Sequence, residues 1–196
     1  MSKSHKPVTH FGQSLHEAVE TFQALGSLEA DVVAAADAVL ECLKAGGKLL
    51  FCGNGGSSAD SAHIATEFTC RFQADRRPYP AIALSADGGL LTAIGNDYAF
   101  QDIFSRQVRA YGKEGDVLIA LTTSGKSRNV LSALEEARRI GMKTIVFLGK
   151  GGGFTKGAAD IEILVSGTAV TARIQEAHKF LLHVMCELVE PGLEKE

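Results

Sequence analysis

Short, mainly apolar runs of four to six residues alternate along the chain with longer segments in which apolar residues recur at helical spacing. The most strand-like run is 116–121 (DVLIAL). Four other runs have the same character, at 48–52, 81–84, 143–148 and 161–165. Short runs of this kind are typical of strands that are buried on both faces of a parallel sheet. The alternation predicts an α/β fold, a doubly wound parallel five-stranded sheet with right-handed crossovers and flanking helices.

An N-terminal helical extension precedes the first predicted strand. Residues 11–44 show helical periodicity in two runs, which are broken near Gly26 and Ser27. A minimal strand–helix–strand unit does not need these helices, so we expect them to pack on the sheet and in part against another subunit. We predict a single domain over 1–196, with N-terminal helices in 1–45 and a sheet-and-helix core in 46–190.

A glycine-rich turn, Gly53-Asn54-Gly55-Gly56, follows the first predicted strand directly. Ser57 or Ser58 is suited to cap the helix that comes next. Free amides and the helix dipole would then point at the turn and form a cradle for an anion. The turn fits neither the dinucleotide pattern G-x-G-x-x-G nor the G-x-x-x-x-G-K-[ST] loop, and similar turns occur in many α/β domains without a phosphate ligand.

A second turn with the same logic follows the strand at 116–121. It reads Thr122-Thr123-Ser124-Gly125-Lys126-Ser127 and precedes a helix predicted over 128–140. Its hydroxyls and the amides around Gly125 could satisfy the oxygens of a phosphate. Ligands of open parallel sheets bind at the carboxyl ends of strands, where both turns must lie. Two cradles on one edge therefore favour a phosphorylated ligand. The glycine-rich stretch 149–157 is predicted to be a connection and not another cradle.

Three side chains are candidates for chemistry, each with an ordinary alternative. His63 and Glu67 are four residues apart on a predicted helix, so they share one face. Most pairs of this kind are simply solvated. His183 lies on the helix predicted over 171–189, where a buried, hydrogen-bonded histidine is the common case.

The composition adds exclusions. An apolar fraction of 45%, a charged fraction of 22% and a net charge of −3 give no reason to expect nucleic acid or an acidic membrane as partner. The four cysteines contain no C-x-x-C pair, which suggests reduced thiols. The N-terminus has no apolar signal segment, and no apolar run approaches the ~20 residues of a membrane span. These features predict a soluble, cytoplasmic protein.

Four blocks of the sequence resemble, in order and spacing, the sugar isomerase (SIS) fold and, within it, the phosphoheptose isomerases. The blocks are GNGGSSADSAHIATE, TAIGNDYAF, TTSGKSRN and TARIQEAHKFLLH, and the resemblance runs from about residue 10 to 190. It implies an aldose–ketose isomerase that interconverts sedoheptulose 7-phosphate and D-glycero-D-manno-heptose 7-phosphate, the first step of heptose synthesis for lipopolysaccharide or related glycans. It also implies a cytoplasmic homotetramer with active sites between subunits.

The resemblance assigns roles to residues that match the motifs of the family. The residues it implies for substrate contact are Asn54, Gly55, Gly56, Glu67, Asn96, Asp97 and Gln175, with Thr122, Thr123, Ser124 and Ser127 on the phosphate. The ligands it implies for one zinc ion per subunit are His63, Glu67, Gln175 and His183. Glu67 and His183 would also form the acid/base pair. Ala172 stands where some relatives have Asp, so a polar contact from that position is absent.

The proposed chemistry suits these residue types. A carboxylate placed over two neighbouring carbons, here Glu67, can move a proton through an enediol. Imidazole is a side chain that can both take up and release protons at physiological pH, so His183 is suited to move protons between the sugar oxygens. Gln175 and His183 are separated by roughly 12 Å along one helix, so both reach one ion only if their side chains converge or different chains contribute. Glutamine is also an uncommon zinc ligand.

Two rival functions remain. Close relatives with this fold bind a replication initiator protein as tetramers without known sugar chemistry, and the four retained residues argue against that function here. Another sugar-phosphate isomerase or sensor is the second rival. The N-terminal helices and the RIQEAHKFLLH helix favour the heptose group.

Overall fold

The computed structural model describes residues 9–194 and contains one sheet of five parallel strands in the order β2-β1-β3-β4-β5. The strands are β1 (Leu49–Gly53), β2 (Ala81–Ala83), β3 (Val117–Thr122), β4 (Lys143–Leu148) and β5 (Ile161–Leu164). The chain starts in β1 near the middle of the sheet, moves to one edge and then crosses to the other. The prediction of a doubly wound, five-stranded parallel sheet is confirmed.

Seven α-helices accompany the strands within residues 9–194. They are α1 (His10–Ala24), α2 (Glu29–Lys44), α3 (Gly56–Thr69), α4 (Gly88–Asp97), α5 (Ser105–Tyr111), α6 (Arg128–Arg139) and α7 (Thr171–Val189). A 3-10 turn joins the first two at Leu25–Leu28, so the predicted N-terminal extension and its break are confirmed. No helix in the described part of the chain is both long and apolar enough to cross a membrane.

Two helix boundaries differ from the prediction. The sequence predicts an interruption of α4 at Gly95, but the helix continues to Asp97, because Gly95 is exposed and glycine in an exposed helical position costs only about 1 kcal/mol. The sequence also predicts one helix over 100–111. There the chain bends before α5, and the bend buries Ile103 and Phe104 against the sheet.

Alternating residues of each strand form two cores. Leu49 and Phe51 of β1 face α2, α3 and α7, whereas Leu50 and Cys52 face α4, α5 and α6. The helices α3 and α7 each follow a parallel strand and return along the same face, so they run in the same direction side by side. This shared direction positions the candidate site.

A charged cluster joins α5 and α6, the helices on the Leu50 and Cys52 side of the sheet, and it gives a pH-dependent prediction. Glu136 is 8% exposed and accepts hydrogen bonds from Arg139 Nη2 and Arg109 Nε, each at 2.7 Å. The hydrogen bonds from Arg139 and Arg109 lower the pKa of Glu136 to about 2. A lowered pKa means that this stabilisation is complete above the unfolded-state pKa of about 4.5 and is lost as the pH falls toward 2.

We expect Glu136→Gln to lower the free energy of unfolding by about 1–2 kcal/mol at pH 7, because two arginines lose a charged partner. Urea titration at pH 7 and at pH 3.5 measures the difference in the free energy of unfolding between the wild-type protein and Glu136→Gln. This difference should be smaller at pH 3.5. Glu135→Gln on the exposed side of α6 is the control. An equal loss for both variants at pH 7 would contradict the prediction.

Candidate functional site

The first glycine turn lies at the carboxyl end of β1, as predicted, but its capping differs. Gly55 is the N-cap of α3 with a φ of 58°, and its carbonyl accepts from the amides of Ser58 and Ala59 at 3.0 and 3.2 Å. The predicted cap from Ser57 or Ser58 is wrong. The left-handed backbone at Gly55 starts the helix two or three residues earlier than predicted and places both serines inside its first turn. Gly55 and Gly56 are exposed, so their backbone is accessible to a ligand.

A pair of asparagines ties the first turn to the second. Asn54 Nδ2 donates to Asn129 Oδ1 at 2.9 Å, and Asn129 Nδ2 donates to Asn54 Oδ1 at 2.8 Å. Asn129 is buried in the first turn of α6 and also accepts from the amide of Val130. Sequence reasoning identified Asn54 but missed Asn129. Asn129 is the last residue of the TTSGKSRN motif, and that position is the signal by which it could have been found. The pairing fixes the separation of the two turns.

In the second turn, backbone amides donate to the hydroxyl oxygens and leave the hydroxyl hydrogens to be donated elsewhere. Thr122 Oγ1 accepts from the amide of Gly125 at 3.2 Å and lies 3.3 Å from Ser127 Oγ. Ser124 Oγ accepts from the amide of Lys126 at 3.1 Å. A hydroxyl that already accepts a backbone amide still has its own hydrogen to donate. Thr123, Ser124 and Ser127 are half-buried, so the turn offers donors to an anion at the start of α6.

The structure brings three of the predicted chemical residues together. His63 Nε2 lies 3.0 Å from His183 Nε2 and 3.3 Å from Glu67 Oε1. One ligand atom from each of these residues lies within 4.8 Å of the others. Zinc–imidazole bonds of about 2.0–2.1 Å place two nitrogens roughly 3.3 Å apart in tetrahedral geometry. Two imidazoles and a carboxylate are common zinc ligands, so the donor set and its spacing fit the ion.

Residues outside the recognised motifs support this cluster. The ring of Phe72 stacks on His183 with centroids 5.9 Å apart, and buried Arg76 donates to the carbonyls of Glu67 and Phe68 at the end of α3. Glu190 accepts from the amides of Gln73 and Ala74 at 3.1 Å. The sequence predicts only a loop over 72–80, so Phe72 and Arg76 were missed. The contacts of Arg76 and Glu190 hold the 72–76 segment in place, so that the Phe72 ring shields one side of His183.

An ion pair between a buried aspartate and an exposed lysine joins α3 to α7 one turn before the cluster. Lys179 Nζ lies 3.0 Å from Asp60 Oδ1, and the Asp60 side chain is 7% exposed. Beside this pair, His178 Nε2 donates to the carbonyl of Leu148 at 3.0 Å. Burial lowers the pKa of His178 to about 4, so the ring is neutral at physiological pH. These contacts fix the position of α7 along α3 so that His63 lies next to His183.

Gln175 lies apart from the cluster in one chain. A Cβ at Gly56 would be 2.4 Å from Gln175 Nε2, so this side chain packs on the start of α3. His63 and His183 lie about two turns further along the same two helices. Gln175 as a zinc ligand therefore stays a prediction, and it requires a second chain or a different side-chain position.

Asn96 and Asp97 also lie outside the cluster in one chain. They are exposed at the end of α4, and Asn96 Nδ2 donates to Asp97 Oδ1 at 2.8 Å. Within residues 9–194, neither forms a hydrogen bond to the two turns or to the histidines. Their contact with substrate stays a prediction.

The fold and the two turns define a SIS domain, and the family of that description matches residues 10–149. The chain is 47% identical over 177 residues to the phosphoheptose isomerase of Clostridium acetobutylicum, and the match covers 90% of each chain. The structure resembles that of a phosphoheptose isomerase from Neisseria gonorrhoeae, with a TM-score of 0.86, 40% identity and coverage of 92% and 97%. A phosphoheptose isomerase from Francisella tularensis gives a TM-score of 0.87 at 35% identity, with coverage of 95% and 100%. The chain belongs to the phosphoheptose isomerase family, which confirms the resemblance.

We expect Asn129→Ala to lower the free energy of unfolding by about 1–3 kcal/mol, because it leaves the half-buried amide of Asn54 without its two hydrogen bonds to Asn129. It should also raise the KM for a sugar phosphate, since the two turns are no longer tied. Urea titration and initial rates measure both effects. Gln101→Ala removes an exposed amide and is the control. Unchanged stability in Asn129→Ala would show that the reciprocal pair contributes nothing.

Proposed function

We propose that the protein is an aldose–ketose isomerase that converts sedoheptulose 7-phosphate to D-glycero-D-manno-heptose 7-phosphate through an enediol. The observation that carries the proposal is the His63–Glu67–His183 cluster, which lies about two helical turns from the glycine turn that begins α3, in a chain of this family. A non-catalytic SIS tetramer would have no need of three converging acid/base groups, and this argues against the rival function.

The two parts of the site suit the two ends of the substrate. The hydroxyls and amides of the second turn would bind the phosphate, and the exposed glycines of the first turn would allow the sugar close to the backbone. Gly56 and His63 are seven residues apart on α3, a rise of roughly 10 Å. An extended sugar with its phosphate at one end and its carbonyl at the other fits such a separation.

The proton transfers can be assigned to the residues of the cluster. Glu67 would take a proton from C1 of the ketose and return it to C2, and its side chain is only 18% exposed, which limits exchange with solvent. His183 would move a proton between the two sugar oxygens at the stage of the enediol. The stacked ring of Phe72 restricts the rotation of His183 and so keeps its Nε2 directed at the site.

Zinc would be held by His63, Glu67 and His183, one ion per subunit, with Gln175 as the further ligand that the family resemblance implies. A bound zinc ion supplies Lewis-acid polarisation of the sugar carbonyl.

We also propose a homotetramer with active sites between subunits. On α1, Phe11, Leu15 and Val19 form an apolar stripe at helical spacing, with exposures of 76%, 55% and 46%. The stripe continues to Phe22, which packs on Phe180 of α7 with ring centroids 5.2 Å apart. An exposed apolar face of this kind favours contact with other subunits.

We place the enzyme in the cytoplasm, at the start of heptose synthesis for lipopolysaccharide or related glycans. The family resemblance supports this placement. The four cysteines are free thiols, three of them buried, as is typical of a reducing compartment.

We expect Glu67→Gln to fold normally and to lose about 10²- to 10⁴-fold in kcat with sedoheptulose 7-phosphate, because the amide cannot accept the proton. Initial rates and circular dichroism measure the two properties. Glu187→Gln, an exposed residue one turn beyond His183, is the control. Comparable turnover in Glu67→Gln would remove this residue as the base.

We expect light scattering to give a mass about four times that of the 20.7 kDa chain. Leu15→Asp should lower the mass, because it places a charge in the apolar stripe, whereas the exposed Glu20→Lys should not. A monomer at micromolar concentration in the wild-type protein would contradict the tetramer.

A further inference from the structure

The glycine-rich segment 149–155 packs backbone to backbone on the second turn. Three consecutive glycines, 151–153, have φ between 53° and 85°. A Cβ at Gly125 would lie 1.8 Å from the carbonyl oxygen of Gly152, and a Cβ at Gly153 would lie 2.5 Å from the carbonyl oxygen of Gly125. Side chains are therefore excluded on both sides of the contact. The backbone of segment 149–155 packs directly against the backbone of the second turn and supports it.

Thr155 closes this contact with two hydrogen bonds. Its amide and its Oγ1 donate to the carbonyl of Gly125 at 3.1 and 2.9 Å, and the residue is fully buried. A trans peptide is planar, so a fixed Gly125 carbonyl also fixes the amide of Lys126, which points the opposite way. That amide donates to Ser124 Oγ at 3.1 Å. The orientation of the Ser124 hydroxyl therefore depends on Thr155.

We propose that Thr155 is a positioning residue for phosphate recognition. It acts from behind the turn and holds the Gly125 carbonyl, so that Ser124 presents its hydroxyl hydrogen outward to a phosphate oxygen. The inference rests on the proposed function, because it assigns the phosphate to this turn. Thr155 lies on a different element from the histidine cluster, so its loss should weaken substrate binding and leave the chemical step intact.

The test compares Thr155→Val with Thr155→Ser. Valine keeps the shape and removes the donor, and we expect it to raise the KM for sedoheptulose 7-phosphate and the inhibition constant of inorganic phosphate by about three- to tenfold. The kcat should change by less than about twofold, and serine should restore both constants. An unchanged KM and inhibition constant in Thr155→Val would overturn the inference, as would a fall in kcat alone.

Thr144→Val is the matched control. Thr144 is also fully buried and donates its hydroxyl to Asp160 Oδ2 at 2.7 Å, but it lies toward the amino end of β4. It should lose stability without a change in the KM or in phosphate inhibition. An equal rise of the KM in this variant would assign the Thr155 effect to general destabilisation and overturn the inference.

A second pair of variants tests the same contact if Thr155→Val does not fold. Gly153→Ala drives a methyl group into the Gly125 carbonyl, whereas Gly151→Ala places one in open space at a similar left-handed φ of 78°. We expect only Gly153→Ala to weaken inhibition by inorganic phosphate. Equal effects of the two variants would overturn the inference.

Ser124→Ala separates this inference from the proposed function. If Ser124→Ala weakens phosphate inhibition and neither Thr155→Val nor Gly153→Ala does, the phosphate site stands and the role of Thr155 is wrong. If Ser124→Ala has no effect, the phosphate lies elsewhere. The assignment of the phosphate to the second turn and the positioning role of Thr155 then both fail.

Discussion

The side-by-side packing of α3 and α7 on one face of the sheet is the constraint on which the candidate site depends. Both helices start at the carboxyl edge of parallel strands and run back in the same direction, so residues at equal distances from that edge meet. Gln175 therefore meets Gly56, and His183 meets His63 two turns further on. The ion pair between buried Asp60 and exposed Lys179 supports this alignment one turn before the cluster. A shift of one helix by a single turn would separate the two histidines.

The other end of the site depends on contacts between turns. The paired asparagines 54 and 129 join the two turns across the sheet edge, and the glycine-rich segment 149–155 supports the second turn from behind. The half-buried Ser124 hydroxyl accepts the amide of Lys126, so its hydrogen is free to be donated to an anion. Hydroxyl and amide donors at the edge and the His63–Glu67–His183 cluster along the helices suit the proposed substrate, which is phosphorylated at one end and reacts at the other.

The sequence predicted those features that depend on local pattern. Short, mainly apolar runs identified all five strands, and helical spacing placed His63 and Glu67 on one face. The capping prediction for Ser57 or Ser58 was wrong because a left-handed glycine, Gly55, starts the helix. Asn129 and Thr155 were missed because their partners lie 75 and 30 residues away, and only the folded sheet edge brings them together. Motif matching found the cluster, and the geometry of α3 and α7 explains why Gln175 does not join it within one chain.

Turnover of sedoheptulose 7-phosphate by the purified protein tests the central claim most directly. The assay would follow D-glycero-D-manno-heptose 7-phosphate with and without a chelator and after addition of zinc. Our account predicts product in the untreated protein, its loss with chelator and its return with zinc. Absence of product under every condition, in protein that is folded and oligomeric, would contradict an isomerase at this site.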